Sequence, residues 1–139
     1  MTTSVSKYGP WAVVTGASDG IGREFARSLA REGFKLVVVA RRRAALEALA
    51  KELSGTEVRV VEADLGTSQG VRRVEDETRA LDVGLVVASA GFGTSGNFLD
   101  NRLDDELSMI DVNCRAVAAT VHHFGQRPST SPSAPTSPR

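Results

Sequence analysis

Three glycines in seven positions, Gly16-x-x-x-Gly20-x-Gly22, stand between an apolar run and an amphipathic one. A diphosphate can be approached this closely only by backbone without side chains, and the free amides and positive end of a following helix then hold the anion. The stretch from Trp11 to Gly22 supplies strand, turn and helix start in that order. Thr15, Gly16, Ser18, Asp19, Gly20, Ile21 and Gly22 are therefore the candidate contacts for a dinucleotide. The plain alternative is an ordinary strand-to-helix turn, which leaves the three glycines without a use.

A second group, Ala40-Arg41-Arg42, follows the next apolar run. At this place a carboxylate would bind the adenosine ribose hydroxyls and select NAD(H), whereas an arginine accommodates a 2′-phosphate. A charge-assisted hydrogen bond is worth about 1.5 to 3 kcal/mol, so NADP(H) is expected over NAD(H) by roughly 10- to 100-fold, with Arg41 as the leading contact and Arg42 beside it. The alternative is a solvated cluster, although three consecutive arginines, Arg41 to Arg43, oppose the dipole of the helix they start.

A carbonyl reduction also needs a positioned proton donor of tuned pKa. No tyrosine follows Tyr8 and no lysine follows Lys51. Tyr8 precedes the first strand, which puts it at the end of the sheet opposite the crevice where ligands bind. His122 and His123 are adjacent on a helix and point apart, so they cannot act as an i, i+4 metal pair; they are expected to cap or solvate the helix end, and no metal site is expected. Cys114 is the single cysteine; it excludes an intramolecular disulfide, fits a reducing compartment and is expected to be a small buried residue.

The elements that must hold these groups alternate between β-branched runs and amphipathic stretches, the pattern of consecutive βα units and a parallel sheet. Trp11–Thr15 is the first predicted strand. Ile21, Phe25 and Leu29, with Ala26 and Ala30, mark a helix that Gly33 closes. Lys35–Ala40 reads as a strand covered on both faces. A helix over Arg43–Leu53, with Leu46, Leu49 and Leu53 on one face, leads to a third strand at Glu57–Ala63. A charged helix from Ser68 to about Arg79 precedes a fourth strand, Leu85–Ser89, and the glycine-rich loop Ala90 to Gly96. The last helix carries Leu103, Leu107, Ile110, Cys114, Val117 and Val121 as one apolar stripe, with Asp104, Asp105 and Glu106 at its N-terminal end.

With 139 residues the chain has room for one domain, assigned to residues 1–127. Residues 128–139 hold four of the five prolines, which with serine and threonine make a tail expected to be disordered. Acidic and basic residues balance at 17 each and are dispersed, so nothing suggests a nucleic-acid partner. The first residues do not resemble a signal peptide, and the longest nearly apolar run, Val83 to Phe92, cannot span a bilayer, so a cytoplasmic protein is expected.

Thr15-Gly-Ala-Ser-Asp-Gly-Ile-Gly22 resembles the short-chain dehydrogenase/reductase family over roughly Lys7 to Gln126. Asp64-Leu65 falls where that family has an adenine-contacting aspartate, Ala90-Gly91 where it has the end of Asn-Asn-Ala-Gly, and Asn113 where it has a helix asparagine. Tyr8 to Gly16 is most similar to the branch with 17β-hydroxysteroid dehydrogenases and 3-oxoacyl-CoA reductases. The resemblance implies a Rossmann-type doubly wound parallel sheet with strand order 3-2-1-4, cut short after about four strands and the following helix, so that strand four lies at an edge. Ala88 and Ser89 replace the family's paired asparagines.

The resemblance further implies catalysis by a serine, a Tyr-x-x-x-Lys pair and the helix asparagine, of which only Asn113 is present. The expected function is the NADP(H)-binding portion of an oxidoreductase that transfers hydride between nicotinamide and a carbonyl or alcohol, inactive as it stands. The alternatives are a non-catalytic nucleotide-binding module and an unstable remnant truncated or frameshifted near Arg127. Self-association through the last helix is a further expectation.

Overall fold

The computed structural model describes residues 4–126; the expected tail over 128–139 and the boundary at Arg127 lie outside the described residues. The chain runs α1 (Ser4–Tyr8), β1 (Trp11–Thr15), α2 (Gly20–Arg31), β2 (Lys35–Ala40), α3 (Arg43–Glu52), β3 (Val58–Glu62), α4 (Ser68–Glu77) and β4 (Val83–Ala88). A short 3-10 turn (Phe98–Asp100) leads to α5 (Leu103–Ile110), a π-helical turn (Asp111–Arg115) and α6 (Ala116–Gly125). The four strands form one parallel sheet in the order β3-β2-β1-β4.

The period of two along each strand divides the core into two layers. Val13, Val37, Val39 and Val61 face one way and pack with Val74 of α4 and with Ala116 and Phe124 of α6. Ala12, Val14, Leu36 and Val38 face the other way, against Ala26 and Leu29 of α2 and Leu46 and Leu49 of α3. A sheet covered on both faces needs nearly continuous apolar strands, which explains the Val-rich runs. Among the described residues no helix is long and apolar enough to cross a membrane.

Strand β4 begins two residues before the predicted Leu85. Trp11 pairs with Val83 and Ala12 with Leu85, so Gly84 is an extra residue in the ladder. A Cβ there would lie 1.1 Å from the Tyr8 carbonyl oxygen, so only glycine lets the chain before β1 cross the start of β4.

Two predicted helix faces need correction, the first only in part, since Ala26 and Leu29 are buried as expected and Ala30 packs against the same core. In α2, Ile21 and Phe25 are exposed at 72% and 46%, and the buried residues are Gly22, Ala26 and Leu29. Small residues bring this helix close to the sheet and turn the two larger ones outward. The stripe of the last helix also faces away from the core: Leu103 is 64% exposed, and Leu107, Ile110, Cys114 and Val121 are exposed as well. Cys114 is thus not the buried residue expected. The inward residues are Glu106, Ala116, Thr120 and Phe124. A π-helical turn joins α5 and α6, and the stripe stays on the outward side both before and after it. Glu106 tolerates burial because Asn101 Nδ2 donates to its Oε1 at 2.7 Å.

Candidate functional site

The loop between β1 and α2 is fixed by close backbone contacts. Gly16 has φ +67°, and a Cβ on it would lie 2.7 Å from the Ser89 carbonyl oxygen and from the Ala90 amide nitrogen. A Cβ on Gly22 would lie 2.2 Å from the Gly16 carbonyl oxygen. These two glycines let the turn fold onto itself and onto the end of β4. Gly20, with φ +54°, differs: nothing lies within 4 Å of its hypothetical Cβ, so it leaves space open at the start of α2. The first-turn amides of that helix have no intrahelical acceptors, so they are available to an anion.

Thr15 anchors the same loop to β4. Its Oγ1 accepts from the Ser89 amide at 3.1 Å and from the Ala90 amide at 3.2 Å. This hydroxyl does part of the steadying that Ala88 and Ser89 cannot do with their side chains. The Ala17 amide donates to the Val39 carbonyl at 3.2 Å, tying the turn to β2 as well.

Beyond β3, the Asp64 carboxylate accepts from the Gly66 amide at 2.9 Å. The Thr67 hydroxyl donates to the Asp64 carbonyl at 2.8 Å and accepts from the Gly70 amide at 3.0 Å, capping α4. Asn113, in the π-helical turn, clamps the loop after β4: its Nδ2 donates to the Phe92 carbonyl at 2.8 Å and its Oδ1 accepts from the Phe92 amide at 3.0 Å. The expectation of a backbone-bonded asparagine matches this geometry, although Asn113 is exposed rather than partly buried.

These pieces enclose one open groove of about 670 Å³ along the carboxyl ends of the strands. Gly16, Ser18, Asp19, Ile21 and Gly22 line it from the first turn, and Ala40, Arg41 and Arg42 from the end of β2. Ala63, Asp64 and Leu65 line it from β3, and Ser89 to Phe92 with Val112 from the β4 side. Thr15 and Gly20 do not line it; Thr15 opens on a small adjoining cleft with Ala88, Ala90 and Val112. Phe92 and Val112 are lining residues that the sequence did not single out. Val112 was signalled only by its place beside Asn113.

The three arginines have separate fates. Arg43 Nε pairs with Glu47 at 2.8 Å, and Arg42 Nη2 pairs with Asp19 at 2.9 Å. Arg41 makes no ion pair among the described residues and borders the groove. The two histidines meet different neighbours: His123 Nδ1 lies 3.8 Å from Glu75, and His122 Nε2 lies 3.3 Å from Gln126 Nε2.

The sequence and the fold that frame this groove have counterparts in known proteins. Residues 10–127 match the short chain dehydrogenase family. The chain belongs to that family. Among relatives of this short chain dehydrogenase sequence, a very-long-chain 3-oxoacyl-CoA reductase from Podospora anserina is 41% identical over 122 residues, covering 82% of this chain and 36% of the relative. A 7beta-hydroxysteroid dehydrogenase from Clostridium sardiniense is 37% identical, covering 85% of this chain and 46% of the relative. The chain therefore spans less than half the length of these curated relatives. A solved 7beta-hydroxysteroid dehydrogenase superposes with a TM-score of 0.84 at 31% identity, covering 90% of this chain and 49% of that one. A short-chain dehydrogenase from Sphingobium yanoikuyae, solved in complex with NADPH, gives 0.75 at 35% identity, covering 84% and 49%.

Proposed function

We propose that this chain binds NADP(H) and is the cofactor-holding portion of a short chain dehydrogenase that interconverts a carbonyl and an alcohol. The observation that carries the reading is one groove that brings together the start of α2 at Ile21 and Gly22, Arg41, which makes no ion pair among the described residues, and the Asp64 turn. The residues present fit the group. Amides at the start of α2 would hold the pyrophosphate, Arg41 would meet a 2′-phosphate, and Asp64 and Leu65 would border the adenine. Asn113 sets the loop of Ala90 and Gly91 at the far end of the groove. The cofactor, when bound, supplies hydride.

The sequence offers no tyrosine or lysine beyond the groove to deliver a proton, and Tyr8 lies at the opposite end of β1. What these residues supply to such a reaction is the set of cofactor contacts. Exposed Leu103, Leu107, Ile110 and Val121 support self-association through α5 and α6.

A thermal melt with and without NADPH tests the reading, because a ligand that binds only the folded state raises stability by about 2.7 kcal/mol at 100 times its Kd. The expected result is a cooperative transition shifted upward by NADPH and less by NADH. A transition indifferent to both overturns the proposal. NADPH consumption with a panel of ketones is expected to be absent, and turnover would mean that these residues supply more than cofactor contacts.

A further inference from the structure

Asp19 occupies the N-cap position of α2 with extended backbone, φ −160° and ψ −178°, where an aspartate commonly accepts from an amide of the first turn. It makes no such bond. Its Oδ2 instead accepts from Arg42 Nη2 at 2.9 Å, across 23 positions of sequence, and the same Nη2 donates to Ser18 Oγ at 3.4 Å. Asp19, Ser18 and Arg42 border both the cofactor groove and a second cleft of about 360 Å³ between α2 and α3. The ion pair is therefore a piece of wall between the two.

We propose that Asp19 is a built-in competitor for the 2′-phosphate of the cofactor, occupying Arg42 and so lowering the preference for NADP(H) that Arg41 and Arg42 would otherwise set together. This rests on the NADP(H) reading above. A guanidinium satisfied by a carboxylate has to exchange that partner for phosphate oxygens, or share its donors between the two. The carboxylate also stands at the helix start, where a bound anion gathers its favourable field, so Arg42 neutralises a charge that would repel the ligand. Both side chains are well exposed, at 63% and 71%, so water weakens their attraction and the competition is modest.

The test uses the full chain and two probes that differ only in the group at issue: 2′,5′-ADP, which carries the 2′-phosphate, and 5′-AMP, which lacks it. Calorimetric Kd values are compared for the wild type, Asp19→Asn, Arg42→Ala and the double variant. Asp19→Asn is expected to tighten 2′,5′-ADP by up to about fivefold, the upper end for an exposed ion pair, while changing 5′-AMP less than about twofold. In the Arg42→Ala background the same change is expected to move both probes equally, which separates competition for Arg42 from a general loss of repulsion. Should Asp19→Asn fail to melt cooperatively, Asp19→Ser is read in its place. An unchanged or reduced preference for 2′,5′-ADP would mean that the carboxylate orders Arg42 for the phosphate, and the inference falls while the cofactor reading stands. A wild type that binds neither probe overturns the cofactor reading and the inference with it.

Discussion

On the β2 side of β1, Leu36 to Val39 are all buried between α2 and α3 on one face and the layer of α4 and α6 on the other. On the β4 side no residue of the strand is fully buried, and α5 turns Leu103, Leu107 and Ile110 outward. The first flank is covered on both faces, with α6 from beyond β4 completing one of them, and it carries most of the groove, namely the glycine turn, the arginines and the Asp64 turn. The second contributes the groove's far edge and keeps apolar surface uncovered. Most of the groove lining and the fully buried strand residues thus lie in the same three βα units, β1–α2, β2–α3 and β3–α4.

The largest test of that contrast compares leucines on the two flanks. Leu46 has no exposed surface, and Leu46→Ala is expected to cost about 2 to 5 kcal/mol in urea denaturation. Leu103→Ala is expected to stay within about 0.5 kcal/mol, and equal losses would break the comparison. Gly22→Ala forces a Cβ onto the Gly16 carbonyl and is expected to cost about 3 kcal/mol, the upper part of the range for overpacking. A nearly neutral result would mean that α2 can withdraw from the turn. Arg41→Ala leaves folding intact and is expected to shrink the NADPH-over-NADH affinity ratio by roughly 10- to 100-fold; an unchanged ratio removes Arg41 from the site.

Thr15→Val keeps the shape but deletes the acceptor shared by two amides, for an expected loss of about 1 to 2 kcal/mol. Faster hydrogen exchange at Ser89 and Ala90 would locate that loss on the second flank.

The smallest effect sharpens the first flank. Arg27 of α2 donates to Glu52 of α3 at 2.7 and 2.9 Å and holds its carboxyl below the ordinary carboxylate value. A depressed folded pKa means that this contribution is present above the unfolded pKa, about 4.3, and is lost as pH falls through the folded one. Arg27→Ala should therefore flatten the acid limb of the stability curve slightly and leave its shape at neutral pH alone, as urea midpoints across that range would record.

The strands and the first turn were legible because their signals are local. A strand buried on both faces must be apolar throughout, and Gly16, Gly20 and Gly22 lie within one turn. The helix faces were legible only in part, because counting apolar residues treats Ile21 and Ala26 alike, whereas close packing on the sheet selects the smaller one. Leu103 to Val121 was legible as one stripe, but its apolar character pointed inward, whereas the structure turns it away from the core and buries Glu106, Ala116, Thr120 and Phe124 instead. Groups joined across long separations were also invisible: Thr15 to Ser89, Asp19 to Arg42 and the crossing of Gly84 by Tyr8 each depend on the finished topology.

Strand β4 joins the sheet beside β1, and Thr15 meets the Ser89 amide across 74 positions of sequence. Contacts so far apart must overcome a large loss of chain freedom before they return any stabilisation, and they form late. On a ribosome, β1, β2 and β3 with their helices would emerge and associate while the future groove still lacked its β4 border. The nascent chain would pass through a stage with a formed glycine turn and no far border to the groove, so the dinucleotide binding proposed above would follow assembly rather than template it.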